Sequence, residues 1–302
     1  MDRRGFLTSL MAGPAALSAL SRKVVAQVQS GSGTLTTVSD GHLVLPVSFV
    51  LAPLSDSERA AVLSRYRLNE VQLESPCNLT LFRDGERTVL FDAGAGSDFM
   101  TTAGALLEDL DAAGVAPEDI THIIFTHAHP DHLWGVIDEF EDFTFPNAEY
   151  RIGRVEWDYW MREETVDEIS TDRQAFAVGA RRRLEMLEDN IEFFDDGAEV
   201  LPGISAVATY GHTPGHMSFE VGGSDSVFVI GDAIANPHVS FGWPSWRIGS
   251  DQDSDMGAAT RMALIKRLTA EKAKVVGFHL PGGGIGQIVA DGVGYRFVTA
   301  EQ

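Results

Sequence analysis

The stretch Thr126-His127-Ala128-His129-Pro130-Asp131-His132 constrains this 302-residue chain more than any other. It packs three imidazoles and a carboxylate into six residues. Burying so many polar groups without partners would cost about a few kcal/mol each, and a bound metal removes that cost. Residues 120 to 126 form an apolar run of strand length, and residues from about 132 onward read as helix, so the cluster lies on a strand-to-helix turn. Alternation sends His127 and His129 the same way, while Asp131 and His132 follow the turn at Pro130, so two ligand pairs can face two neighbouring ions. One His followed by one Asp would be an ordinary helix start. Three histidines in six positions ask for ions that accept nitrogen and oxygen donors.

The pattern His-x-His-x-Asp-His resembles the first metal motif of the metallo-β-lactamase superfamily, and later segments extend the resemblance in order. Asp92-Ala93-Gly94 follows a strand and is similar to the Asp-x-Gly signature. Gly211-His212-Thr213-Pro214-Gly215-His216 resembles the third-histidine motif. Gly231-Asp232 ends a buried strand, and His279-Leu280-Pro281 ends another. The resemblance covers residues 34 to 298 and implies an α/β fold, the αββα four-layer sandwich. It implies one ion held by His127, His129 and His212, a second by Asp131, His132 and His279, and Asp232 bridging the two. Asp92 and His216 would support the ligands from behind.

The implied activity is that of a dinuclear metal-dependent hydrolase, in which water activated between two divalent ions cleaves an ester-like bond. Asp131 would orient that water and take up its proton. Zinc is the default ion, and manganese, iron or cobalt would fit the same donors. Residues 37–41, 145–148, 201–204 and 292–296 look like the methyl parathion hydrolase branch, which points to an organophosphate triester or a lactone as substrate. The chain departs from acyl-homoserine lactonases at Ala235, where those enzymes carry a tyrosine. The alternatives are a single-iron, oxygen-using or redox member of the same fold and, among hydrolases, an acyl-homoserine lactonase or a β-lactamase. Pockets for such substrates are largely apolar. The resemblance aligns Phe99 and Trp160 with pocket positions, and Trp134, Trp157, Tyr159, Trp243 and Trp246 are further candidates.

Composition narrows the partners. With 23 basic and 44 acidic residues the net charge is −21, a surface that repels phosphate backbones and argues against nucleic acid. No run approaches the roughly 20 apolar residues of a membrane span. The N-terminal Met1-Asp2-Arg3-Arg4-Gly5-Phe6-Leu7 and the small, apolar residues after it look like a twin-arginine export signal. Residues 1–26 are therefore expected to be a signal peptide, with 27–302 a single hydrolase domain exported to the periplasm. Cys77 is the only cysteine, so no disulfide forms within the chain, and its surroundings suit a small buried side chain. A homodimer is the expected assembly.

The remaining sequence supplies expectations for the fold. Residues 27–40 read as a mobile lead-in, residues 41–47 as the first strand, and Asp56–Tyr66 as a helix capped by Ser55 or Asp56. Residues 79–82 and 88–91 read as a hairpin. Arg181, Arg182 and Arg183 suggest a solvated helix face pairing with Glu185 and Glu188. Met262, Ile265 and Leu268 suggest one apolar helix face. Residues 274–278 read as the last core strand.

Overall fold

In the computed structural model of the chain, residues 26–31 and 33–300 are described, so the leader expected over residues 1–26 lies outside them except for Ala26. Short runs of β-branched and aromatic residues build two seven-stranded sheets, each with its strands in chain order. The first holds β1 (Ala26–Ser30), β2 (Gly33–Pro46), β3 (Gln72–Arg83), β4 (Thr88–Phe91), β5 (His122–Ile124), β6 (Glu149–Gly153) and β7 (Ile191–Phe194). The second holds β8 (Glu199–Leu201), β9 (Ile204–Ala208), β10 (Met217–Val221), β11 (Val227–Val229), β12 (Lys274–Val276), β13 (Ile285–Asp291) and β14 (Gly294–Thr299).

The period of two along each strand decides the layers. Val89 and Phe91 of β4 and Ile124 of β5 join Val227 and Val229 of β11 in a core between the sheets. Their neighbours point the other way. Leu90 and Ile123 meet Leu106, Leu110, Trp160 and Leu184 from helices outside the first sheet, and Phe228 meets Leu264, Ile265 and Leu268 outside the second. Strands buried on both faces read as unbroken apolar runs, as β4, β5 and β11 do. The result is helix, sheet, sheet, helix, as expected from the sequence.

Several local expectations change. The supposed lead-in at 27–40 is β1 and most of β2, where Leu35 and Val38 are buried together with Thr36 and Thr37. Its Thr-rich composition looked like linker, yet threonine is β-branched and fits a pleated surface. Residues 274–278 do not close the core, because β13 and β14 follow as an antiparallel pair that buries Ile285 and Ile288. Arg183 is not on a solvated face: it is buried, stacked 4.4 Å from the Trp134 ring, with Nη2 on Asp98 at 2.8 Å. Arg181 does pair with Glu185, but Arg182 reaches Glu141 instead. Ile265 and Leu268 are buried on one face of Ser254–Glu271 as expected, but Met262 is exposed, and Arg261 and Leu264 complete the buried stripe in its place. The helix Asp56–Tyr66 forms as read, with Ser55 and Glu58 closing a capping box. No helix among the described residues is long and apolar enough to cross a membrane.

Candidate metal centre

Every expected ligand follows a strand end: His127, His129, His212, Asp232 and His279 lie in loops, and Asp131 and His132 in the short helix Pro130–Leu133. The loop after β5 brings three nitrogens together with the loop after β9: His129 Nδ1 lies 3.0 Å from His127 Nε2 and 2.9 Å from His212 Nε2. A second group forms around Asp232, after β11. Its Oδ1 is 3.4 Å from His132 Nε2, and its Oδ2 is 3.3 Å from His212 Nε2 and 3.2 Å from His279 Nε2. Asp131 Oδ2 stands 3.3 Å from His279 Nε2 and 3.5 Å from His132 Nε2. Asp232 thus touches rings of both groups.

The outer atoms of these rings fix what the inner ones can do. His132 Nδ1 donates to Asp92 Oδ2 at 2.8 Å, His279 Nδ1 to the Pro76 carbonyl at 2.8 Å, and His212 Nδ1 to Asp251 Oδ1 at 3.3 Å. His127 Nδ1 lies 3.0 Å from Thr126 Oγ1, whose own proton goes to Asp92. With the Nδ1 hydrogens so placed, these four rings, when neutral, turn their Nε2 lone pairs inward, whereas His129 faces the group with Nδ1. Facing lone pairs about 3 Å apart repel unless a cation sits among them. Asp131 Oδ2, His132 Nε2 and Asp232 Oδ1 are moreover buried with no hydrogen-bond partner among the described residues. This donor set fits divalent ions.

The electrostatics agree. Burial and neighbouring positive groups hold His127 and His129 well below the ordinary histidine pKa. Burial would also lower His132, but Asp131, Asp92 and Asp232 outweigh it and push it up to about 10. His279 is driven well above its ordinary value against burial, chiefly by Asp232. Burial works against the charge on Asp232 too, yet His279, His132 and His212 hold it well below the carboxylate range. Cys77 shares a corner with Asp131 and His279. Burial pushes its thiol up to about 12, so it stays protonated.

Asp92 and His216 stand behind the ligands. Asp92 sits at φ 68°, a conformation aspartate tolerates, and also accepts the Thr126 N–H at 2.7 Å. His216 is pushed down to about 3, by burial first and His212 next, so it is neutral. Its Nδ1 meets Thr209 Oγ1 and its Nε2 accepts the Asp232 N–H at 2.9 Å. Gly231 makes this approach possible: it has φ +48°, and a Cβ there would lie 2.7 Å from His216 Nε2.

Sequence reasoning missed Glu156. This wholly buried carboxylate has no cationic partner among the described residues and takes four hydrogen bonds. Oε1 accepts from Ala128 N–H at 2.9 Å and Trp160 Nε1 at 2.6 Å; Oε2 accepts from Thr213 Oγ1 at 2.7 Å and Gly215 N–H at 3.0 Å. It ties the His127 loop to the His212 loop. The only trace in the sequence is an acid among aromatics on one helix turn.

A cavity of about 380 Å³ opens onto the donors His129, Asp131, His212, Asp232 and His279. Phe99 lines it, as expected, together with Phe49 and Phe176, which the sequence did not single out. Trp160 does not. It lies behind His129, ring centroids 5.8 Å apart, with its indole N–H committed to Glu156. None of the other five candidate aromatics lines the cavity.

The sequence model of the Metallo-beta-lactamase superfamily matches residues 73–278, a span holding all of these donors except His279, the residue immediately beyond its end. The chain belongs to that superfamily. Among solved structures it is similar to AidC, described as a dizinc quorum-quenching lactonase, with TM-score 0.84, 24% identity and coverage of 92% of this chain and 97% of that one. A second is the hydrolase AbOPH of the beta lactamase superfamily, with TM-score 0.83, 26% identity and coverage of 91% and 97%. An N-acyl homoserine lactonase of Bacillus thuringiensis is 28% identical over 137 residues, 44% of this chain and 46% of that protein. The chain spans less than two thirds of the length of the curated relatives it matches first. Lactonases are among the proteins it resembles.

Proposed function

We propose that the chain is a dinuclear metal hydrolase that opens an ester-like bond, in a lactone or an organophosphate triester. The observation that carries this reading is the meeting of two donor groups around Asp232, three of their atoms buried without partners, on the floor of a largely apolar cavity. Lactonases among the relatives support the lactone side of it. His127, His129 and His212 would hold one ion, Asp131, His132 and His279 the other, with Asp232 between. Divalent ions there, zinc by default, supply Lewis acidity and bring the pKa of water toward about 7.

The chain's own residues do the rest. The preset rings keep their lone pairs inward, so little reorganisation accompanies the reaction. Asp131, its Oδ2 free of protein partners, orients the attacking water and holds its proton. Phe49, Phe99 and Phe176 shield the reacting bond and receive the apolar part of the substrate. Ala235 lines the cavity and offers no hydroxyl to the developing negative charge. Export through the twin-arginine route is part of the proposal, on the strength of the N-terminal sequence alone.

The test is a panel of methyl parathion, dihydrocoumarin, an acyl-homoserine lactone and nitrocefin, assayed on metal-quantified protein with and without chelator. We expect turnover of a lactone or the triester with about two metals bound, abolished by chelator. Two metals and no turnover of any member would overturn the substrate class. One tightly bound iron without hydrolysis would favour the redox alternative. Asp131→Ala should lower kcat by roughly 10²–10⁴-fold, and a variant that keeps both its metals and its rate would remove Asp131 from catalysis.

A further inference from the structure

Arg173 is a buried cation that lines the cavity beside His129, His212 and Phe176, in a protein whose net charge is −21. Its Nη2 donates to the carbonyls of Gly249 at 2.6 Å and Ser250 at 2.9 Å, and the guanidinium lies 5.4 Å from the Phe49 ring. Among the described residues Nε and Nη1 have no acceptor, and no carboxylate pairs with the group. The acids that act on it are Asp172, which is exposed, and Asp251, already paired with Arg261 at 3.1 Å and with His212. Glu74 also lines the cavity, but it is exposed and makes no ion pair with Arg173.

A guanidinium is always charged, and burying it without an anion is unfavourable. Two carbonyls satisfy one of its three nitrogens. The Nε–H and the Nη1 hydrogens remain; with Nη2 committed they lie on different edges of the group, and each can take a single oxygen of an anion such as a carboxylate in a charge-assisted hydrogen bond. Apolar cavity walls strengthen such a contact by excluding water.

We propose that Arg173 is an anion-anchoring residue, and that the substrate carries a carboxylate a few bonds from the ester-like bond that is cleaved. This deepens the function proposed above and rests on the cavity being the substrate site. It departs from the neutral lactones and triesters that the sequence suggests.

The experiment uses metal-loaded protein and two matched pairs: monophenyl succinate against phenyl butyrate for turnover, and the non-hydrolysed amides N-phenylsuccinamate and N-phenylbutyramide for binding by calorimetry. We expect the wild type to prefer the anionic member at least tenfold in both readouts. Arg173→Gln should remove that preference while leaving the neutral member within a few-fold, and Arg173→Lys should keep part of it. Equal use of both members by the wild type would overturn the proposal. So would an Arg173→Gln protein that keeps the preference, or one that loses both members equally, the mark of a structural role. If Arg173→Gln fails to fold, Arg173→Lys decides: a preference as large as that of the wild type, or loss of both members equally, overturns the proposal. An anionic preference in binding with no ester turned over, and none of the earlier panel turned over either, would support the anchor and reject the hydrolase reading.

Discussion

His132 and His279 are the rings that carboxylates draw toward the protonated form in the metal-free chain, His132 to about 10 and His279 well above its ordinary value. Metal ligation needs both as neutral donors, so ion uptake must expel their protons. Adding zinc to chelated protein near pH 7.5 in weak buffer should acidify the solution by about one to two protons per chain. No acidification would mean that these rings are neutral before the metal arrives. Asp40 tests a different kind of burial. Its carboxylate accepts the Ala95 N–H at 2.7 Å and the Leu106 N–H at 2.8 Å, yet burial outweighs these bonds and pushes it up to about 6 from 3.8. A folded pKa above the unfolded one means that the folded state binds the proton more tightly, so this group stabilises the fold as pH falls from about 6 to 4 and loses that contribution as pH rises. The unfolding free energy of wild type minus Asp40→Asn should widen by up to about 3 kcal/mol across that window, and a flat difference in urea titrations would contradict it. The seven candidate ligands could be read as a set because each offers a metal-binding atom soon after a strand. Glu156 and Arg173 could not, because a single charged residue on a helix looks solvated until the neighbours that bury it are known.

At the scale of elements, the loops after β5 and β9 are held in register by one carboxylate. Glu156→Gln keeps the volume but turns an amide N–H₂ toward two donors, leaving N–H or O–H groups unpaired in the interior. It should destabilise the fold by about 1–3 kcal/mol and weaken retention of the ion at His127, His129 and His212 more than that at His279, as seen by chelator competition with chemical denaturation alongside. Equal loss of both ions would make Glu156 a general stability residue. Gly231→Ala combines a left-handed backbone with a Cβ pressed on His216. The Asp232 N–H should lose its acceptor, and the variant should melt lower with reduced metal content. Strand ends carrying chemistry were easy to read, since a His or Asp that closes an apolar run must find a partner for polar atoms drawn out of water. β1 and the first part of β2 were not, for a Thr- and Ser-rich segment reveals itself as strand only when a partner strand covers it.

Across the whole molecule the two sheets repeat a plan that leaves no mark in the sequence. Each contains antiparallel pairs followed by a parallel step, β4 to β5 in the first and β11 to β12 in the second. In each, an aspartate follows the strand before the step and a histidine the strand after it: Asp92 and His127, then Asp232 and His279. Side chains have diverged where backbone pairing has not, because pairing depends on main-chain groups common to all residues. The proposed ions, held between the two sheets, would bind the folded chain alone. Melting temperature should therefore rise with free zinc, each tenfold increase above the dissociation constant adding about 1.4 kcal/mol per site, and a melting curve indifferent to chelator would argue against ions between the sheets. The far wall of the cavity comes from another part of the chain: Leu43, Leu45, Phe49, Val50, Leu68 and Leu73 all precede the first ligand by more than 50 residues. One part of the substrate-facing wall is thus inherited on a stretch that holds no candidate ligand, while Phe99, Arg173, Phe176 and Ala235 come from stretches near or among the ligands. A lineage, or a library randomised at those six positions, can wander among substrates without passing through a metal-free ancestor, and variants selected for new substrates should come out of purification still carrying their ions.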